Sequence, residues 1–233
     1  DGKAYPLPGQ NEKQILELSS QQGYQPLSRA GSADLYGVYE GRAGKLSSDT
    51  SFVSLSGSEP AAAMTAISLD GTLNATVTGD PAKAQLGPSG GAPITADTGL
   101  TQARSAHFAQ GRLWLLGQGS GGQQQMLSMS SQGSTTAIDL SVLPGEVVDF
   151  SLDASGTRAA VLLGIGEATR FGAASLIEGN RMVGWQEVPL TASQEKELSD
   201  AVALDWTGEV NVAVVASAGS GKSVFVVALD GSE

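Results

Sequence analysis

The sequence predicts an all-β chain of β-propeller type with about five blades or partial blades, and three observations predict it. Glycine supplies 31 of 233 residues and charged residues only 16%, the composition of many short strands joined by many turns. Apolar residues, 40% of the chain, fall in short alternating runs between turn signals. A strand, glycine turn, strand unit recurs, with turn glycines at 71, 111, 156 and 208 that stand 40, 45 and 52 residues apart. That spacing matches a propeller blade, about 40 to 50 residues.

The elements follow in chain order. Residues 1–32 read as a connector from an upstream domain, and residues 33–233 as the propeller domain. Within the connector, Tyr5 to Gly9 is turn-rich, and Asn11 to Ser20 predicts a short helix capped by Asn11, with Ile15, Leu16 and Leu18 as its apolar positions. The chain begins at Asp1 with no signal-like apolar segment, so it reads as a processed or excised piece of something longer. The first unit is a strand at Leu35 to Tyr39, a turn at Glu40 to Gly44 and a return at Lys45-Leu46. Clearer units span Met64 to Val77, Ser105 to Leu116, Val147 to Leu162 and Ala201 to Val214. In each, an alternating strand runs into a tight turn whose glycine supplies positive φ, and a second apolar strand returns. Gly117 to Gln125 reads as a polar loop before a third strand at Met126 to Met129, and Val224 to Leu229 is the third strand of the last unit. Asp230 to Glu233 is a turn directly after that strand, which predicts a truncated last blade or an open arc.

Charge and composition exclude several functions. Lys and Arg total 13 against 24 Asp and Glu, a net charge of −11 with no clustered basic stripe, which disfavours a nucleic-acid partner. The longest apolar runs, about seven residues, fall far short of the ~20 needed to span a bilayer. Cysteine is absent, so there is no disulfide, thiolate nucleophile or cysteine metal site. The one histidine, His107, rules out a polyhistidine metal centre and would have to serve any Ser-His-Asp triad alone.

Motifs that could carry chemistry read as structure. Ala216 to Ser223 resembles a phosphate loop after an apolar strand, but Ala216 replaces the first glycine and a strand-like run, not a helix, follows Ser223. Gly164-Ile165-Gly166 is two-thirds of a dinucleotide fingerprint, with Thr169 in place of the third glycine, and reads as a hairpin. His107 and Phe108 are expected on opposite faces of a strand, with His107 a strand-end hydrogen-bonding residue. Asp70, Asp153 and Asp205 occupy equivalent repeat positions and read as turn carboxylates rather than a catalytic pair. Asn74-Ala75-Thr76 is a glycosylation sequon inside a predicted strand, and Gln123 to Gln125 reads as loop. Thr191 to Asp200 reads as an acidic connector or one helical turn, with docking to a basic surface as its functional alternative. Trp185 is either an exposed aromatic anchor or a blade-packing residue. No catalytic, cofactor-binding or metal-ligating residue is assigned, and no cofactor is expected.

The units also resemble a known family. Val147 to Gly164, with its Val-Val-Asp-Phe-Ser-Leu-Asp-Ala-Ser-Gly core, is similar to the propeller repeat of the actinobacterial LpqB lipoproteins. The order of units agrees, from Ser68 to Thr72, through Gly111 to Trp114 and Ala201 to Trp206, to Val227-Ala228-Leu229-Asp230-Gly231, covering residues 33 to 231. The resemblance implies an extracytoplasmic protein, lipid-anchored to the cell membrane through an upstream cysteine and carrying an upstream germination-type domain. It implies a noncatalytic module that binds the extracytoplasmic domain of a sensor kinase of the MtrAB two-component system and acts in cell-wall homeostasis. Two other expectations stay open on the same fold: a cell-wall glycan or small-ligand binding propeller, and a hydrolase or lyase.

Overall fold

Residues 113–116, Leu-Trp-Leu-Leu, are each at most 1% exposed, and their period-two alternation explains the architecture. Leu113 and Leu115 enter one hydrophobic core and Trp114 and Leu116 another, so the strand is covered on both faces. A sheet whose central strands bury both faces must be sandwiched between two others, which is what stacked propeller blades provide.

The computed structural model describes residues 25–27, 35–39, 42–46, 52–54, 64–68, 72–88, 91–166, 168–177, 180–206, 210–218 and 221–229. The expected helix at Asn11 to Ser20 and the turn at Tyr5 to Gly9 lie outside these, as do Asp70, Gly71, Gly208 and the terminal turn at Asp230 to Glu233.

Among the described residues, five antiparallel sheets follow one another along the chain. The first holds β1 (Gln25–Leu27), β2 (Leu35–Tyr39), β3 (Arg42–Leu46) and β4 (Phe52–Ser54). The second holds β5 (Met64–Ile67), β6 (Leu73–Thr78), β7 (Lys83–Pro88) and β8 (Ile94–Asp97). The third holds β9 (Gln102–Ala109), β10 (Arg112–Gln118), β11 (Gln124–Met129) and β12 (Thr135–Ile138). The fourth holds β13 (Glu146–Leu152), β14 (Arg158–Ile165), β15 (Ala168–Ile177) and β16 (Arg181–Glu187). A short helix, α1 (Ala192–Leu198), leads into the fifth, with β17 (Ala203–Trp206), β18 (Asn211–Ala218) and β19 (Gly221–Ala228). No helix among the described residues is long and apolar enough to cross a membrane.

Strands pair in chain order within each sheet, and the first strands of the second to fifth sheets, β5, β9, β13 and β17, lie against one another as the inner strands. Three cores fill the gaps between these sheets. Val77 and Leu86 meet Leu113 and Leu115 between the second and third, and Trp114 and Met126 meet Phe150 and Val161 between the third and fourth. Leu162 and Phe171 meet Leu204, Trp206 and Val214 between the fourth and fifth. The other face of the fifth sheet carries Val224 and Val226, 62% and 68% exposed.

One local expectation changes. The turn read at Glu40 to Gly44 is shorter, because Tyr39 pairs with Arg42 and Gly37 with Gly44, which places Arg42 to Gly44 in the return strand. In the first sheet β1 pairs with β2 from Gln25 opposite Val38 to Leu27 opposite Tyr36.

Candidate functional site

The candidate site lies where the inner strands converge. Alternation along β9 sends Phe108 into the core between the second and third sheets, while the His107 ring meets Phe150 edge-on, 4.9 Å between centroids. Beside it, Ser105 Oγ donates to Asp149 Oδ1 at 2.7 Å and stands 3.0 Å from His107 Nε2, with Nε2 3.9 Å from the same carboxylate oxygen. The second oxygen of Asp149 accepts the Leu204 amide at 3.0 Å. One sheet further on, Ser151 Oγ donates to Asp205 Oδ1 at 2.7 Å, and the Trp206 amide donates to both Ser151 Oγ and Asp205. Each serine thus holds a carboxylate on the inner strand of the next sheet.

A register shift between Val147 and Asp149 explains the placement of Asp149. The extra residue, Val148, turns outward and the aspartate is aimed at Ser105. Burial works against a charged imidazole at His107, but its interaction with the Asp149 carboxylate and the charge of Asp205 outweigh it and raise its pKa above 6.5.

Serine, histidine and aspartate are gathered here in an order that differs from that of a catalytic triad. In a triad the imidazole stands between the hydroxyl and the carboxylate and takes the serine proton. Ser105 has one proton and gives it directly to Asp149, so its oxygen accepts from His107 Nε2–H. Among the described residues, no cluster of three His, Cys, Asp or Glu side chains is placed to hold a metal ion.

The hairpin turns carry a second polar cluster. Asp153 accepts the Thr157 and Arg158 amides, the Ser155 hydroxyl and Arg158 Nε, all within 3.1 Å. Burial would raise its pKa, but the bonds from Ser155, Arg158 and Thr157 prevail and lower it. The Arg158 guanidinium then lies 5.2 Å above the Trp206 ring of the fifth sheet. Gln110 and Gly111 both adopt positive φ, as a two-residue hairpin requires, and the Gln110 amide donates to the Ser155 carbonyl of the neighbouring turn. Asp153 is the turn carboxylate that its repeat position predicts. Asp205 is not: it sits inside β17, paired with Ala213, because its hydrogen-bonding partner is Ser151 across the sheet gap.

Other readings resolve similarly. Gln124, expected in a loop, opens β11 and clamps the fourth sheet, its amide donating to the Val147 carbonyl at 2.6 Å and accepting the Val147 N–H at 2.7 Å. Arg104 and Glu146 bridge the same two sheets at 3.0 Å. Trp185 packs half-buried against the core between the third and fourth sheets. Asn74 is 3% exposed in β6, so the folded strand keeps the sequon from a glycosylating enzyme. Strand β18 pairs antiparallel with β19, Ala216 opposite Ser223 and Ala218 opposite Gly221, and β14 pairs with β15 in the same way, Gly164 opposite Thr169. Thr191 to Asp200 holds α1, closed by a capping box between Thr191 and Gln194.

Two shallow hollows open beside these elements. One, about 160 Å³, lies between Thr169, Phe171, Val188 and Glu195, and the other, about 200 Å³, between Leu73, Phe108 and Gln110. Both are smaller than the ~300 Å³ at which small-molecule sites begin.

Comparison with known proteins places this architecture. Structures with the same fold include a TolB protein of Agrobacterium tumefaciens, 15% identical with TM-score 0.64, over 90% of this chain and 78% of that one. TolB of Acinetobacter baumannii is 13% identical with TM-score 0.63, over 89% of this chain and 52% of its own. A puromycin-hydrolysing peptidase of Mycobacterium tuberculosis is 18% identical with TM-score 0.58, over 88% of this chain and 35% of that one. At such identities the likeness shows the fold alone. No curated protein matches the sequence. The family model for the lipoprotein LpqB beta-propeller domain matches residues 49–233, most of the chain, and the protein belongs to that family.

Proposed function

We propose that this chain is a noncatalytic docking module of a lipid-anchored extracytoplasmic protein, and that it binds the extracytoplasmic domain of a sensor histidine kinase of the MtrAB type. The proton order at Ser105 carries the noncatalytic reading: the hydroxyl is committed to Asp149, and Asp149 to Leu204, so both groups join sheets to one another. Membership of a lipoprotein family supports the address. Stacked sheets pinned at their inner strands form a stiff frame whose end loops can present a broad surface without chemistry of their own. Binding changes the kinase only if the module prefers one conformation of the kinase's outer domain, and the shift is limited by that preference.

The test is reconstitution. The kinase is placed in vesicles with the lipoprotein's full ectodomain on its outer face, and autophosphorylation is followed on the inner face. The reading expects the rate to change with ectodomain concentration and to saturate. An unchanged rate would contradict the kinase partner, and hydrolytic turnover lost in Asp149→Asn would contradict the noncatalytic role.

A further inference from the structure

We propose that His107 is a proton-operated clamp: its charged form draws the inner strands of the third, fourth and fifth sheets together through Asp149, which also holds the Leu204 amide, and loss of the proton loosens them. The inference is independent of which partner the module docks.

The geometry sets one ionisable cation against a carboxylate that also reaches the next sheet. His107 stands on β9 and Asp149 on β13 with one oxygen 3.9 Å from Nε2, and the other oxygen of Asp149 accepts the Leu204 amide of β17 at 3.0 Å. Ser105 bridges the first pair, accepting from Nε2 and donating to Asp149. The neutral Nε2–H tautomer preserves those hydrogen bonds, so the two protonation states differ in charge rather than in connectivity. Protonation therefore changes how strongly the strands hold one another without dismantling the site. The side chain keeps 25% of its surface exposed, enough for exchange of a proton with solvent.

The neighbouring charges do not substitute for it. Arg104 on β9 is held by Glu146 of β13 at 3.0 Å, and Arg112 on β10 bonds Ser128. Strand β5 brings no charged residue to the ring, its sequence being Met-Thr-Ala-Ile. Because the folded state raises the His107 pKa, its contribution to stability is complete below 6.5, the unfolded value, and fades as pH rises through the higher folded value.

His107 is the chain's one histidine, so its Cε1–H resonance reports the titration without ambiguity. The expected midpoint lies above 6.5, and Asp149→Asn lowers it more than Asp205→Asn does. Hydrogen exchange supplies the mechanical readout, because the Leu204 and Trp206 amides are bonded to Asp149 and to Ser151 and Asp205. Corrected for intrinsic exchange, these amides are expected to lose protection as pH rises through the midpoint, while those of Ala75 and Leu86 in the second sheet do not. His107→Gln, which keeps a donor toward Ser105 without the charge, is expected to abolish that pH dependence. A midpoint at or below 6.5, or Leu204 and Trp206 protection that stays constant across the titration, would overturn the clamp. If His107→Gln does not fold, the wild-type titration and exchange decide the question alone.

Discussion

Asp153 holds the turn between β13 and β14 through four donors while remaining almost fully buried, so its removal exposes the dependence of the hairpin on one carboxylate. Asp153→Asn is expected to destabilise the fold by about 1–3 kcal/mol in urea unfolding, because four donors lose a charged, buried acceptor. Its depressed pKa means that its contribution is complete above 3.8, the ordinary aspartate value, and is lost as pH falls through the lower folded value. The acid limb of the stability curve should accordingly flatten in the variant. At Gly156, φ is +62° and an added Cβ would stand 2.7 Å from Gln110 Cγ, so Gly156→Val is expected to lose about 1–3 kcal/mol by thermal or urea unfolding. Both residues were legible in the sequence because their partners lie close along the chain. Ser105 and Asp149 were not, since they meet across 44 residues and only a strand bulge aims the carboxylate.

Among the elements, legibility follows burial. Strands such as β10 and β14, covered on both faces, announce themselves as apolar runs, and the hairpins joining them carry glycine turns. The outer strands β8 and β12 are mostly exposed, with sequences Ile-Thr-Ala-Asp and Thr-Thr-Ala-Ile, so no apolar pattern marks them. Gln124 was missed for a related reason: its amide replaces a missing ladder partner for Val147, a role that glutamine in a polar stretch does not advertise. Gln124→Ala is expected to destabilise by about 1–3 kcal/mol, with faster exchange at the Val147 amide as its local signature. Thr191→Ala removes the cap of α1 and is expected to lose about 1 kcal/mol, read by unfolding and by exchange at Gln194.

At the scale of the whole molecule, three cores between stacked sheets and the serine-to-aspartate links at the inner strands make a frame suited to presenting its edges. The repeat period made that stacking legible in advance, because each hairpin is local and its unmatched apolar face demands a neighbour. The proposed docking would fall to end-loop surfaces, which neither repeat nor core specifies. Titration calorimetry tests the docking claim most directly, with this chain and the full lipoprotein ectodomain each titrated against the purified extracytoplasmic domain of the sensor kinase from the same organism. Saturable binding of this chain alone is the predicted result. Binding by the full ectodomain but not by this chain would place recognition upstream and contradict the docking role, and heat evolved with cell-wall glycan fragments in place of the kinase would move the function to ligand capture.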